Sequence, residues 1–243
     1  MAKRILPVLR STLFYLGYIL TLIPHTTLCV LLGWMFPLKS RFRFFVLWNR
    51  FSIWWLKITC GVEYRIHGVE NIPAHPFVLL SNHQCPWETI FLYAYFAPLC
   101  AILKMELLRI PFFGWAMALL GPIAINRKNP RLALKTLLTM GKARLQAGIS
   151  VLVFPEGTRV APGVEKKYSS GGAALAITSG VLVLPVAHNA GLFWPSKKFL
   201  KTAGVIDVVI GAAIATTNRE PRELTEAVQL WTQHTLTHKE YGL

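Results

Sequence analysis

Apolar residues are concentrated near the start of this 243-residue chain. The stretch from Ser11 to Leu38 contains no Asp, Glu, Lys or Arg, and about 20 apolar residues suffice for a helix that crosses a bilayer. A secretory signal is the other interpretation, but the stretch is long for one and no A-x-A cleavage site closes it. The pattern therefore predicts a helical segment that enters a membrane.

Two features bear on whether this segment crosses the membrane. Pro24 and His25 lie near its middle, and basic residues flank it on both sides. The flanking charges therefore give no direction of insertion. A full span stays open, but a bent, monotopic segment that enters from one face fits slightly better.

Aromatic and basic residues alternate over the next segment, from Arg41 to Lys57. The aromatic residues are Phe42, Phe44, Phe45, Trp48, Phe51, Trp54 and Trp55. The pattern is typical of an amphipathic helix at a membrane surface, although an ordinary helix that packs on a domain through aromatic side chains has the same pattern. In both interpretations, we expect residues 1–62 to form an N-terminal membrane-anchoring helical segment ahead of a domain at residues 63–243.

The pattern changes after residue 75 to short apolar runs, each followed by a polar turn. The runs occupy residues 76–80, 101–103, 122–125, 151–154 and 181–186. They are short enough for buried strands, and residues 131–147 between the third and fourth carry leucines on one helical stripe. Strands that alternate with helices predict an α/β fold, with a mostly parallel sheet flanked by helices. Since such sheets bind ligands at the carboxyl ends of their strands, the polar turns are expected to share one site.

The first of these turns carries the strongest candidate chemistry, a histidine and a glutamate five residues apart. His83 follows the predicted strand, Pro86 suits the first position of a helix, and Glu88 falls in the first helical turn, where the ionised form is favoured. On one continuous helix the two side chains would point about 140° apart, but a break at Pro86 lets them meet. An ionised carboxylate can orient one imidazole nitrogen and make the other a better base. The alternative is that His83 serves only the turn and Glu88 only caps the helix.

The second candidate is the turn Pro155-Glu-Gly-Thr-Arg159. Gly157 permits a tight turn, Thr158 and backbone N–H groups can donate to an oxyanion, and Arg159 can hold a phosphate through two hydrogen bonds. A capped turn with a surface arginine is equally consistent with this segment alone. The sequence contains no G-x-S-x-G elbow, Walker A loop or G-x-G-x-x-G loop that would suggest a different chemistry.

The amino-acid composition indicates what kind of surface the protein can bind. The chain has 26 Lys and Arg against 11 acidic residues, a net charge of +15, with 53% hydrophobic residues and a mean hydropathy of +0.45. A chain that is both basic and apolar suits an anionic membrane surface rather than nucleic acid, because proteins that bind nucleic acid are usually basic and polar. The cysteines at 29, 60, 85 and 100 have no zinc-site spacing. They are expected to be free thiols in a reducing compartment.

Four ordered blocks of this sequence resemble those of the glycerolipid acyltransferase family, which includes the 1-acylglycerol-3-phosphate acyltransferases. The blocks are Asn82-His83 with Glu88, residues 121–127 (GPIAINR), residues 154–159 (FPEGTR) and residues 183–186 (VLPV). One departure stands out, since the family's first block usually ends in Asp and this chain has Glu88. The only aspartate of the chain, Asp207, is far away in sequence.

The resemblance implies transfer of a fatty acyl group from a coenzyme A or acyl-carrier-protein thioester to a lysophospholipid hydroxyl. It implies no metal, no acyl-enzyme and no cofactor beyond the acyl-CoA or acyl-ACP co-substrate. His83 would act as the base and Glu88 would orient it. Substrate contacts would come from Lys104, Asn126, Arg127, Glu156, Gly157, Thr158 and Arg159, with Pro185 shaping the wall of the fourth block.

The expected acceptor is 1-acyl-sn-glycerol 3-phosphate, used at the cytoplasmic face of a bacterial inner membrane. Another lysolipid, such as a lyso-ornithine lipid, or glycerol 3-phosphate itself is the alternative within the class, because the blocks do not separate these acceptors. A non-enzymatic lipid-binding or scaffold protein would explain the N-terminus. It would not explain why His83, Glu88 and Arg159 all follow strand ends.

Overall fold

A seven-stranded sheet forms the centre of the computed structural model, which describes residues 2–237. The strands are β1 (Val62–His67), β2 (Val78–Ser81), β3 (Leu99–Lys104), β4 (Ile123–Ile125), β5 (Ser150–Val153), β6 (Val183–His188) and β7 (Gly204–Ile210). The helices are α1 (Ala2–Leu32), α2 (Leu38–Cys60), α3 (Pro86–Phe96), α4 (Phe113–Ala118), α5 (Pro130–Gln146), α6 (Gly171–Ser179) and α7 (Pro221–Thr237). The five predicted apolar runs correspond to β2 through β6.

The strand order across the sheet is β1-β7-β6-β2-β5-β3-β4. All neighbouring pairs are parallel except β6 and β7, which are antiparallel. Every residue of β2, β5 and β6 is buried, as expected for parallel strands covered by helices. The prediction of a mostly parallel α/β fold is confirmed.

The first two helices form an antiparallel hairpin. The chain turns through a short 3-10 helix at Gly33–Met35. The indole N–H of Trp48 then donates to the hydroxyl of Thr21 at 3.1 Å, and that of Trp55 donates to the carbonyl of Phe14 at 3.2 Å. Later residues of α2 thus meet earlier residues of α1, so the two helices run in opposite directions.

The chain does not change direction at Pro24, where the sequence suggested a bend. Helix α1 continues through both Pro7 and Pro24, and residues 5–35 form one helical segment long and apolar enough to cross a membrane by length and composition. Only 17% of its most apolar window is buried. The change of direction comes at the end of this segment, so the bend expected near Pro24 is replaced by a turn some ten residues later.

The helical hairpin shares its core with the rest of the molecule. Phe14 and Cys29 of α1 and Phe42 and Phe45 of α2 are buried in the same hydrophobic cluster as the sheet. The opposite side of α1 is exposed and apolar, including Leu9, Leu13, Leu16, Leu20, Ile23 and Leu31. Of the aromatic side chains of α2, Phe42, Phe45 and Trp48 are buried and Phe44 and Trp55 are partly buried against the core, as in an ordinary domain helix, whereas Trp54 is exposed. The division into residues 1–62 and 63–243 stays a prediction, and its outer ends, residues 1 and 238–243, lie outside the described residues.

Candidate active site

The turn between β2 and α3 brings His83 and Glu88 together. Pro86 is the first residue of α3, as predicted, and Glu88 lies in its first turn. His83 Nδ1 is 2.6 Å from Glu88 Oε1. The same oxygen accepts hydrogen bonds from the backbone N–H groups of Gln84 at 3.0 Å and Cys85 at 2.9 Å. Glu88 therefore caps its helix and orients the imidazole at the same time, so the two alternative roles coexist.

Cys85 gives the glutamate a further donor. Its thiol donates to Glu88 Oε2 at 2.9 Å, and burial together with the charge of Glu88 raises the pKa of Cys85 well above its ordinary value. Burial by itself would raise the pKa of Glu88, but the hydrogen bond from His83, the charge of His188 and His83, and the thiol bond outweigh it, so the pKa of Glu88 is lowered. Glu88 is thus an ionised carboxylate, and Cys85 is a neutral thiol that donates to it.

The turn after β5 holds the histidine from its other side. The ring of Phe154 stacks on the imidazole of His83 with centroids 4.1 Å apart and planes at 16°. The backbone N–H of His83 donates to Glu156 Oε1 at 3.1 Å, and its carbonyl accepts from Val160 N at 2.7 Å. With Nδ1 bonded to Glu88, Nε2 is the ring nitrogen that could accept a proton from a bound molecule.

A second histidine, His188 at the end of β6, is hydrogen-bonded to the β2–α3 turn that carries His83. The side-chain amide of Asn82 pairs with the backbone of His188, donating at 3.0 Å and accepting at 3.1 Å. His188 Nδ1 accepts from Ala190 N at 3.3 Å, so the proton is assigned to Nε2, which lies 2.9 Å from the carbonyl of Asn82. Burial lowers the pKa of His188. Sequence analysis did not single out His188, because its role depends on the pairing of β2 with β6.

His83 opens into a cavity of about 1190 Å³. Pockets for one drug-sized ligand are on the order of 300 to 1,000 Å³, so this one has room for parts of two substrates. Its polar lining includes His83 and the basic side chains Lys104, Arg127, Arg159, Lys197 and Lys198. Its apolar lining comes from α1 to α4 and includes Tyr18, Leu22, Phe45, Trp48, Ile90, Phe113 and Met117. No carboxylate lines it within residues 2–237.

Five of the predicted substrate contacts line this cavity: Lys104, Arg127, Gly157, Thr158 and Arg159. Gly157 has a φ of 69°, a conformation that a side chain disfavours. Arg127 also donates to the carbonyl of Gly157, so it braces the turn that carries Arg159.

Three other predicted contacts lie outside the lining. Asn126 accepts from the backbone N–H of Lys128 at 3.0 Å, Pro185 is buried within β6, and Glu156 is buried against the backbone of His83. Burial raises the pKa of Glu156 to about 7, and its Oε2 has no hydrogen-bond partner among the described residues. Because Asn126, Glu156 and Pro185 do not line the cavity, their places favour a role in holding the surrounding turns and strands over contact with a substrate.

The four cysteines are free and buried, as expected. Asp207, the only aspartate, is bonded to His67 at 2.8 Å on the β1–β7 side of the sheet. It takes no part in orienting His83.

Comparisons with known proteins agree on one family. A family model described as Acyltransferase matches residues 63–189. A 1-acyl-sn-glycerol-3-phosphate acyltransferase of Pseudomonas aeruginosa is 46% identical over 232 residues, 94% of this chain and 90% of that protein. One from Borreliella burgdorferi is 30% identical over 148 residues, 60% of this chain and 57% of that protein.

One solved structure has the same fold over nearly the whole chain. The crystal structure of a 1-acyl-sn-glycerophosphate acyltransferase from Thermotoga maritima superimposes with a TM-score of 0.76, covering 94% of this chain and 93% of that one. Its sequence identity is 22%, so this match concerns the fold.

Proposed function

The chain belongs to the acyltransferase family, and from this premise we propose that it acylates 1-acyl-sn-glycerol 3-phosphate to phosphatidic acid, with an acyl thioester as donor. The observation that carries the proposal is the His83–Glu88 pair, which opens into a cavity lined by both cationic and apolar side chains. The similarity to the Pseudomonas aeruginosa enzyme supports this acceptor.

The reaction begins at the free nitrogen of His83. Nε2 takes the proton of the acceptor hydroxyl while that oxygen attacks the thioester carbonyl carbon. Glu88 holds the ring through Nδ1 and stabilises its charged form. The carbon–sulfur bond then breaks, and the proton on His83 passes to the departing sulfur. The acyl donor is a co-substrate, and no step of this scheme needs a further cofactor.

The acceptor phosphate is placed among Arg159, Arg127 and Lys104. Arg159 comes from the turn after β5, Arg127 follows β4, and Lys104 ends β3, so all three lie on one side of His83 in the strand order. A phosphate monoester carries about −1.5 to −2 charge at pH 7. Cations held in a cavity without carboxylates are suited to it.

The apolar lining of the cavity and the exposed face of α1 are proposed to lie next to the membrane. Acyl chains can lie against Tyr18, Leu22 and Trp48, which belong to the helical hairpin and line the cavity. The same hairpin exposes leucines on its outer side, and the net charge of +15 favours an anionic lipid surface. We place the protein on the cytoplasmic face of a bacterial inner membrane, inserted by this hairpin without crossing.

An assay with defined substrates tests the proposal. Purified protein in detergent micelles is given palmitoyl-CoA and one acceptor at a time, and released thiol and acylated product are both measured. The acceptors are 1-acyl-sn-glycerol 3-phosphate, glycerol 3-phosphate and a lyso-ornithine lipid, and His83→Ala is the control for uncatalysed thioester loss.

We expect the highest kcat/KM with 1-acyl-sn-glycerol 3-phosphate. A preference for either of the other acceptors would support the acyl-transfer reaction but show that the proposed acceptor is wrong. Absence of His83-dependent thiol release with all three acceptors would refute the enzymatic proposal and leave a lipid-binding role.

A further inference from the structure

The segment between β6 and β7 is fixed to α1 at two points. Near its start, Trp194 is buried with its ring edge-on to Phe14, centroids 5.0 Å apart. Near its end, the buried ammonium of Lys201 donates to the hydroxyl of Tyr15 at 2.8 Å and lies 4.1 Å from the centre of that ring. The backbone N–H of Lys201 also donates to the hydroxyl of Ser11 at 3.0 Å. The residues between these anchors form a loop with a defined position.

This loop presents two lysines to the cavity. Lys197 and Lys198 are exposed and both line it. Lys197 has a φ of 64°, a left-handed conformation that non-glycine residues disfavour. Such strain persists where the surrounding structure imposes it, and it is concentrated at functional sites. Neither lysine is within ion-pair distance of a carboxylate among residues 2–237.

The lysine loop and the other cations of the cavity follow strands on opposite sides of β2 in the strand order. His83 follows β2, which is flanked by β6 on one side and by β5 on the other. The acceptor cations follow β5, β3 and β4, whereas the lysine loop follows β6. The cavity lining thus draws cations from loops on both sides of β2 in the strand order, and a single acceptor phosphate does not need both groups.

We propose that Lys197 and Lys198 bind a phosphate of the carrier that delivers the acyl group. This inference rests on the proposed function, in which the thioester must reach His83 from the side that the acceptor does not occupy. A phosphopantetheine arm, common to coenzyme A and acyl carrier protein, ends in the thiol that bears the acyl group. Coenzyme A adds a 3′-phosphate, so two phosphate sources share this chemistry.

Binding to the full-length protein in detergent micelles, measured by calorimetry, tests the inference without turnover. The double variant carries Lys197→Asn, since asparagine tolerates the left-handed conformation, and Lys198→Gln. Its matched control, Lys135→Gln with Lys142→Gln, removes the same charge from exposed positions of α5 that do not line the cavity. The probes are coenzyme A, 3′-dephospho-coenzyme A, 4′-phosphopantetheine and pantetheine.

We expect the double variant to weaken coenzyme A binding about tenfold, a loss typical of one charge-assisted contact, while the control pair changes nothing. Pantetheine, which has no phosphate, should bind both proteins alike. A loss that persists with 4′-phosphopantetheine assigns the lysines to the phosphate shared with acyl carrier protein. A loss confined to coenzyme A assigns them to the 3′-phosphate.

Three results would overturn the inference: unchanged binding of coenzyme A, equal weakening of pantetheine, or no measurable binding of coenzyme A to the wild-type protein. In the transfer assay, the double variant should raise the KM for palmitoyl-CoA and leave the KM for the acceptor unchanged. If coenzyme A binds through these lysines but no acceptor is acylated, the proposed function fails and the carrier site stands.

Discussion

His83 Nδ1 lies 2.6 Å from Glu88 Oε1 although a proline and the start of a helix separate the two residues in sequence. The glutamate oxygen that holds the imidazole also accepts the N–H groups of Gln84 and Cys85. Orientation of the base and capping of α3 therefore depend on one side chain. Any substitution of Glu88 is expected to affect both the rate and the local helix.

Removal of the base should abolish most of the transfer. His83→Ala is expected to lower kcat by about 10² to 10⁴-fold, the usual contribution of a general base. The matched control is His75→Ala, an exposed histidine outside the cavity. Steady-state rates with palmitoyl-CoA and 1-acyl-sn-glycerol 3-phosphate measure the effect. A His83→Ala rate within about threefold of wild type would remove this histidine from the mechanism.

Substitution of Glu88 separates charge from length. Glu88→Asp keeps the negative charge and can still cap the helix, so we expect activity within about tenfold of wild type. Glu88→Gln loses the charge and turns an amide N–H₂ toward groups that already donate, so it should lose about a hundredfold or more. The measurement is kcat for both variants. Equal rates for Glu, Asp and Gln would reduce Glu88 to a helix cap.

Cys85 is expected to act through Glu88. Cys85→Ala removes the thiol donor 2.9 Å from Oε2, and the loss of one hydrogen bond to a buried carboxylate should lower kcat about tenfold. Cys85→Ser keeps a donor and should restore most of the rate. The KM for both substrates should not change, since Cys85 does not line the cavity. Similar rates for Ala and Ser would mean that the thiol only fills space.

Glu156 should make stability depend on pH near neutrality. Burial raises the pKa of Glu156 from 4.5 to about 7, so between these values the folded protein keeps a proton that the unfolded chain releases. Stability therefore falls as the pH rises through this window and stays lower above it. The loss amounts to about 3 kcal/mol at about 1.4 kcal/mol per pH unit.

Glu156→Gln does not ionise and should escape this loss. Thermal or denaturant unfolding of both proteins between about pH 5 and pH 8 should show wild type losing stability relative to the variant as the pH rises. Parallel stability curves would show that Glu156 does not titrate in this range.

Arg159 should distinguish acceptors with and without phosphate. Arg159→Lys keeps the charge but loses the two-pronged grip of a guanidinium. We expect a fall in kcat/KM of about ten- to a hundredfold for 1-acyl-sn-glycerol 3-phosphate, and a smaller one for a phosphate-free lysolipid. Arg131→Lys, exposed on α5, is the control. Equal losses for both acceptors would make Arg159 structural.

Local patterns in the sequence predicted the catalytic turn and most of the sheet. The apolar run before His83, the proline at the start of α3 and the glutamate in its first turn are features of a few adjacent residues, and each appears in the structure as expected. The pattern did not single out β1 and β7, where polar residues alternate with apolar ones or interrupt them. The placement of β7 between β1 and β6 was likewise not predicted.

The sequence by itself thus determined the strands β2 to β6, the β2–α3 turn and the family to which the chain belongs, because the burial of a short strand and the conformation of a turn depend on neighbouring residues. Only the tertiary structure decided that His188 supports Asn82, 106 positions away, and that the lysine loop and Arg159 line the same cavity as His83. It also decided that α1 turns at its end and shares the core of the sheet. These relationships depend on the order and direction of strands far apart in the chain, which are set by the packing of the whole core and not by any local pattern.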